Sequence, residues 1–171
     1  MRGSTIGVAA LALALAGCGG GAASGGMMPT PPPADPGSPV THEGTVIVSG
    51  VEGLVDLRLD TDAGQIGLVG GWVDEIKNLS GARVSVRGDG RDEAFEVRGY
   101  TVVEVNGERP WVGVVLSYAG GFRLDGPDPV GLTGESARLQ ELVGSKIWVT
   151  GPRSGDGVQV VSFGVIRPAA R

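Results

Sequence analysis

The sequence predicts an all-β chain with short helices: two tandem five-stranded Greek-key barrels, each with one helix between strands three and four, behind a disordered tether. The first observation behind this is a stretch used twice, GLVGGWVDEIKNLSGARVSVRG at residues 67–88 and GLTGESARLQELVGSKIWVTG at residues 131–151. From Ile76 onward the copies keep a constant offset of 63, linking positions 76 and 139, 79 and 142, 81 and 144, 84 and 147, 86 and 149, and 88 and 151. The same offset pairs Phe95 with Val158, Val97 with Val160, Tyr100 with Phe163 and Val102 with Val165. Gap-free agreement of apolar positions and glycines over this length argues an internal duplication. The second observation is composition. Aromatics are 5% and glycines number 32, so the cores must be built from Val, Leu and Ile between many tight turns. The third is a change of apolar period, from strand to helix and back, within each copy.

At the start of the chain, Met1-Arg2 is a short positive segment, and Ile6 to Ala16 is an apolar run rich in Ala and Leu that leads into Leu15-Ala16-Gly17-Cys18. The run is about half the roughly 20 residues that span a bilayer, so it reads as the core of a signal peptide and not as a permanent helix. Leu-Ala-Gly-Cys resembles the lipobox of bacterial lipoproteins. That resemblance implies loss of residues 1–17 by cleavage between Gly17 and Cys18, a diacylglyceryl group on the Cys18 thiol, and acylation (palmitate) of the new amine. It implies an extracytoplasmic address in the bacterial cell envelope, with the membrane as a partner through the lipid. Gly19, standing where an aspartate would retain the protein at the inner membrane, favours the outer membrane in a Gram-negative cell. Two or three acyl chains anchor durably, whereas one is marginal. A buried structural cysteine, or translation from Met27 or Met28, would leave this signal-like pattern unexplained.

Residues 18–43 form the tether. Gly and Ser make its first part flexible, Pro31-Pro32-Pro33 stiffens its middle, and no apolar period offers a face to bury, so disorder is expected. A segment of this length places the folded part roughly 25–30 Å from the lipid. His42, the one histidine, falls at its end and reads as solvated.

The first barrel is assigned to residues 44–109. Thr45–Ser49, Leu54–Asp60 and Gln65–Val69 are short Val/Leu-rich runs between glycine turns, and Asp56, Arg58 and Asp60 alternate with Val55, Leu57 and Leu59 as in a strand buried on one face. Trp72, Val73, Ile76 and Leu79 then fall at helical spacing, with Gly81 placed to end the helix in a left-handed cap. Val84 and Val86 resume strand alternation between Arg83, Ser85 and Arg87, and a last strand runs from Phe95 to about Val105. Three strands, a helix and two strands is the element order of the OB-fold, a five-stranded Greek-key barrel. The phrase Leu-x-Gly-x-x-Val-x-Val-x-Gly at Leu79–Gly88, with its counterpart at Leu142–Gly151, resembles the helix-to-strand-four passage of bacterial OB domains. The resemblance covers residues 44–167, and its motif is generic and brings no functional residue with it.

The second barrel is assigned to residues 110–167, with strands at Trp111–Ser117, Phe122–Leu124 and near Val130–Leu132, and a helix at Glu135–Val143. In each final strand the apolar phase flips, near Gly99 and near Ser162, which predicts a β-bulge at both places. The connector Asn106-Gly107-Glu108-Arg109-Pro110 is so short that the barrels should touch, and about 60 residues is near the lower limit for an independent core, so mutual packing should help both. The rival architecture is one continuous β-sandwich with helices at its ends.

Composition removes several function classes. Formal charge is −5, from 14 basic and 19 acidic residues, a balance that repels polyanions. One cysteine and one histidine leave no disulfide framework, no cysteine zinc site and no histidine-dependent catalysis in a folded domain. No nucleophile elbow, zincin motif or P-loop is present, and Gly67–Gly71 has the wrong spacing for a dinucleotide fingerprint. Asp60-Thr61-Asp62-Ala63-Gly64 begins like a calcium loop but lacks the later ligands, so it reads as a hairpin turn, as do Gly88–Asp92 and Ser154–Gly157. Asp56, Asp60, Asp62, Asp89, Asp92 and Glu93 read as solvated surface charge. No cofactor, metal or nucleic-acid partner is expected.

Arg58, Arg83, Arg87, Arg123, Lys146 and Trp148 face outward by strand phase. Trp148 stands out, because its neighbours Ile147 and Val149 point inward and the first copy has Ser85 at its position. A tryptophan beside Lys146 would stack on a sugar or anchor a protein, or else pack against the first barrel. Trp72 and Trp111 read as core residues. The expected function is a lipid-anchored, non-catalytic binding module for an envelope protein or glycan, with Trp148, Lys146 and Arg58 as candidate contacts. Its alternatives are a structural spacer, which would bury Trp148 between barrels, and an enzyme working with convergent carboxylates.

Overall fold

The computed structural model describes residues 39–51, 54–91 and 94–170. Gly17, Cys18 and the rest of the expected signal peptide and tether up to residue 38 lie outside the described residues, as do Asp92 and Glu93. The described chain lies within one compact unit, Asp35–Arg171, and is mostly β: a closed five-stranded barrel and a second, seven-stranded sheet.

The barrel is built from β1 (Val40–Val51), β2 (Leu54–Thr61), β3 (Gly64–Val69), β4 (Arg83–Arg91) and β5 (Ala94–Glu104), joined in the order β1-β2-β3-β5-β4. Between β3 and β4 lies α1 (Val73–Ile76), which tightens into a 3-10 turn over Lys77–Leu79. Leu57, Leu59, Val84, Val86, Phe95 and Val97 fill the interior, and Ile76 and Leu79 cover one end of it from the helix. Gly81 takes φ +81° to turn the chain out of the helix, and Gly144 does the same in the second half at φ +84°. The predicted bulge near Gly99 is present. Arg87 pairs with Gly99 but Gly88 with Val97, which leaves Arg98 as the extra residue that flips the phase.

β1 begins at Val40, so residues 40–43 of the expected tether belong to the barrel, paired with β4 from Val40↔Gly88 to Thr45↔Arg83. His42 is therefore not solvated in a linker: it is half-buried, its ring edge-on to Phe95 at 4.9 Å. The alternation Val40, His42, Gly44, Val46 hides the strand, because two of its inward positions are not aliphatic. Gly44 has no choice, since a side chain there would collide with the backbone carbonyl of Asp60.

The second sheet contains β6 (Trp111–Tyr118), β7 (Gly121–Asp125), β8 (Val130–Thr133), β9 (Lys146–Thr150), β10 (Arg153–Ser154), β11 (Gly157–Gln159) and β12 (Ser162–Arg167), with α2 (Ser136–Glu141) after β8. Its order is β10-β11-β8-β7-β6-β9-β12. The fifth strand of the first half is thus split here into β11, parallel to β8, and β12, antiparallel to β9. Pro152 stands where the first half has Asp89, and proline removes an N–H from the ladder, so β9 and β10 separate. Instead of the predicted bulge near Ser162, the fifth strand is interrupted: Val160 N–H bonds to Thr133 O on one side, and Val161 N–H bonds to Thr150 O on the other. A bulge does occur further on, at Ile166, between the pairs Val165↔Ile147 and Arg167↔Lys146.

Val165, in register with the buried Ile147, keeps the expected face but lies on the edge strand and is 37% exposed, whereas Ile166, in the bulge, is fully buried. Ile166 enters the core of the first barrel, not the second, and Val112 and Trp148 pack against the same core from the second sheet. The second sheet keeps its own core around Val115, Leu124, Ile147, Val149 and Val158, with Trp111 against it. Ile166→Ala is expected to destabilise the protein by about 2–5 kcal/mol in urea unfolding. Val165→Ala should stay within about 0.5 kcal/mol.

Candidate functional site

Where the two halves meet, the backbone brings one acid and two bases together. Glu75 sits on α1 beside the fully buried Ile76, so the helix that covers the barrel core also draws this carboxylate out of solvent, to 7% exposure. Lys146 opens β9, and Arg167, displaced by the Ile166 bulge, pairs directly across from it at the end of β12. Two cations at facing strand positions repel. Glu75 accepts from both, with Lys146 Nζ 2.7 Å from Oε2 and an Arg167 guanidinium nitrogen 3.0 Å from Oε1.

Tyr100, carried by β5 just past its bulge, completes the cluster. Its hydroxyl donates to Glu75 Oε2 at 2.6 Å and accepts from Lys146 at 3.0 Å. The ammonium lies 4.7 Å from the Tyr100 ring centre and 5.5 Å from that of Trp72, which meets Tyr100 edge-on. Two backbone anchors fix the cationic strand end: the Asn78 amide donates to Ile166 O at 2.9 Å, and Ala169 N–H donates to the Ser145 hydroxyl at 3.0 Å.

Burial by itself would raise the Glu75 pKa. Hydrogen bonds from Lys146 and Tyr100, with the charges of Lys146 and Arg167, outweigh it and hold the carboxyl below its ordinary 4.5. Tyr100 is pushed far above its ordinary 10.0, by burial first and then by its bond to the Glu75 carboxylate, so it stays a neutral donor. In the second half the equivalent positions are Arg138 and Phe163. They meet as a cation over a ring, 4.6 Å from the guanidinium carbon to the ring centre. The frame is kept and its charge inverted.

Two concavities flank this region. The first is a cleft of about 370 Å³ between the halves, walled by Trp72, Tyr100, Pro110 and Val112 and reached by Lys146 and Arg167. The second is an open groove of about 760 Å³ on the second sheet, lined by Phe122 and Arg123 of β7, Gly131 and Leu132 of β8, Tyr118 at the end of β6, Ser154 at the end of β10 and Asp156 in the turn after it. Tyr118 there is 54% exposed.

The expected contact residues are dispersed. Trp148 does point away from its own core, but onto the first one, and its indole lies so close over Gly164 that a side chain at that position would collide with it. Lys146 is engaged by Glu75. Arg58 lies on the exposed face of β2 and pairs locally with Asp56 at 2.7 Å. Trp72, expected in the core, instead caps α1 with 36% of its surface open and faces the cleft. Asp56, Asp60 and Asp62 are exposed as expected, and Asp89 is half-buried against Arg98. Sequence reasoning misses Glu75 and Arg167. The offset of 63 is a usable signal for them, because it aligns Glu75 with Arg138 and Glu104 with Arg167, and each of these is a change of sign between the halves.

No family model matches the sequence, and no curated protein does. Among solved structures the chain is similar to one titled as a crystal structure of TiaS in complex with a tRNA and ATP, at 16% identity and a TM-score of 0.29. The match covers 78% of this chain and 31% of that one, so the chain spans about a third of the length of the structure it matches.

Glu75→Gln is expected to lower stability at pH 7 by about 2–3 kcal/mol, because it leaves a largely buried lysine without its anion. The wild-type advantage should hold above pH 4.5 and disappear as pH falls through the depressed native value, since in that window the unfolded state binds the extra proton. Chemical denaturation of both proteins from pH 3 to 7 checks this.

Proposed function

We propose that the chain is a lipid-anchored envelope protein made of two OB-fold-like barrels, and that it acts as a non-catalytic binding module for a protein or glycan partner. The observation that carries this reading is the open groove on the second sheet. It is formed by the second and third strands of that half and the turns beside them, the face OB barrels use to hold ligands. Tyr118 and Phe122 offer aromatic area and Arg123 a charged handle, the residue types that anchor interfaces. The order of strands in the closed barrel, with a helix between its third and fourth, supports the fold assignment. The lipobox-like Leu15–Cys18 supports the anchor and the extracytoplasmic address. An acidic balance of −5 favours a partner other than nucleic acid.

One observation favours a second reading, a structural spacer. Trp148 and Lys146, the residues expected to contact a partner, are taken up in holding the halves together.

A photo-crosslinking residue at Tyr118 in cells producing the full chain separates the two. A binding module yields a discrete adduct that the same residue at the exposed turn position Asp62 does not, and Phe122→Ala lowers its yield about fivefold. A spacer yields no adduct at Tyr118, or the same ones as at Asp62.

A further inference from the structure

The cleft between the two halves is separate from the groove above, and its floor is charged. Of the three ionised groups there among the described residues, Glu75 neutralises one of Lys146 and Arg167, and one positive charge stays unmatched. At the rim, Arg109 faces Asp128 at 3.7 Å, and Asp125 is paired at 3.3 Å with Arg123, which lies outside the cleft, so both rim carboxylates have their own cation. The unmatched charge rests on groups with donors to spare. Lys146 has three N–H bonds and two named acceptors, Glu75 and Tyr100. Arg167 gives Glu75 one hydrogen bond, from one terminal nitrogen, while its side chain is 59% exposed and lines the cleft. The anchors at Ile166 and Ala169 hold the backbone on either side of Arg167, so little freedom is lost when it engages a ligand.

Above this floor stand Trp72 and Tyr100, edge to face at 5.7 Å between ring centres, with Pro110 and Val112 also in the lining. An aromatic and aliphatic wall with a few convergent polar groups, enclosing about 370 Å³, is the build of a small-molecule site at the lower end of the usual range. We propose that this cleft binds a small carboxylate-bearing ring compound of sugar-acid size, its carboxylate on Arg167 and Lys146 and its ring against Trp72. A planar carboxylate matches the free edge of a guanidinium, and a ring face matches an exposed indole. The overall charge of −5 does not steer such a ligand in, so recognition is local and screened little by salt once the carboxylate is seated.

The experiment uses the full chain, labelled with nitrogen-15, and follows the indole N–H signals of its three tryptophans. The Trp72 signal is identified by its loss in Trp72→Phe. Titration with D-glucuronate is expected to shift the Trp72 signal saturably and to leave that of Trp111 in place, while D-glucose shifts neither. Arg167→Gln should weaken glucuronate about tenfold, with the Trp111 and Trp148 signals unmoved as evidence of an intact fold. Trp72→Ala, which touches neither core, should weaken it comparably by calorimetry. No response to glucuronate, an equal response to glucose or to inorganic phosphate, or an unchanged affinity in Arg167→Gln overturns the proposal. Substitutions in the groove at Tyr118 or Phe122 should leave glucuronate affinity unchanged, so failure of this site and failure of the groove are read apart.

Discussion

The buried carboxylate of Glu75 is the constraint on which the rest of the molecule turns. A charge at 7% exposure is costly unless its partners are close and well oriented. From the first barrel it receives the Tyr100 hydroxyl. Both cations come from the second sheet, from strand ends set side by side by the Ile166 bulge. The same bulge turns Ile166 into the first core, so one local distortion supplies both an apolar plug and an ion pair. The first half is not complete by itself. A core of about 60 residues is marginal, and this one takes from its neighbour the side chains that close it.

The two halves share one set of backbone constraints. Gly44 and Gly113 each face a backbone carbonyl, of Asp60 and Asp125, that would collide with any side chain; Gly88 and Gly151 face those of Glu96 and Gln159 in the same way. Val46 N–H bonds to Ala82 O and Val115 N–H to Ser145 O, while Gly81 and Gly144 donate back to Val46 and Val115. These are backbone demands, and both halves meet them. The side chains around them differ. Glu75 with Tyr100 in one half corresponds to Arg138 over Phe163 in the other, and Pro152 in place of Asp89 breaks a strand.

Much of the fold is legible in the sequence because period and glycine placement are local signals. Val84, Val86, Ile76, Leu79 and Gly81 announce their roles without reference to anything distant. The start of β1 is hidden because His42 and Gly44 interrupt its aliphatic alternation, and the burial of Ile166 is not read from period because a bulge leaves no mark in composition. The site is harder. Lys146 and Trp148 stand out as outward-facing, but an outward face on one half is an inward face once the other docks against it. Glu75 looks like an ordinary helix-surface acid, since the cations that make it exceptional lie 71 and 92 positions away.

Whether the two halves are one cooperative structure is tested most directly by equilibrium unfolding in urea, with hydrogen exchange read separately on peptides from residues 54–91 and from residues 111–150. A single midpoint shared by both sets is expected, because opening the second half strips the first of its plug and counter-charges, and opening the first uncovers Ile166, Val112 and Trp148 and leaves Lys146 and Arg167 without their anion. Two separated midpoints, with one half protected after the other has exchanged, would contradict the shared core and the ion cluster as the source of the molecule's integrity.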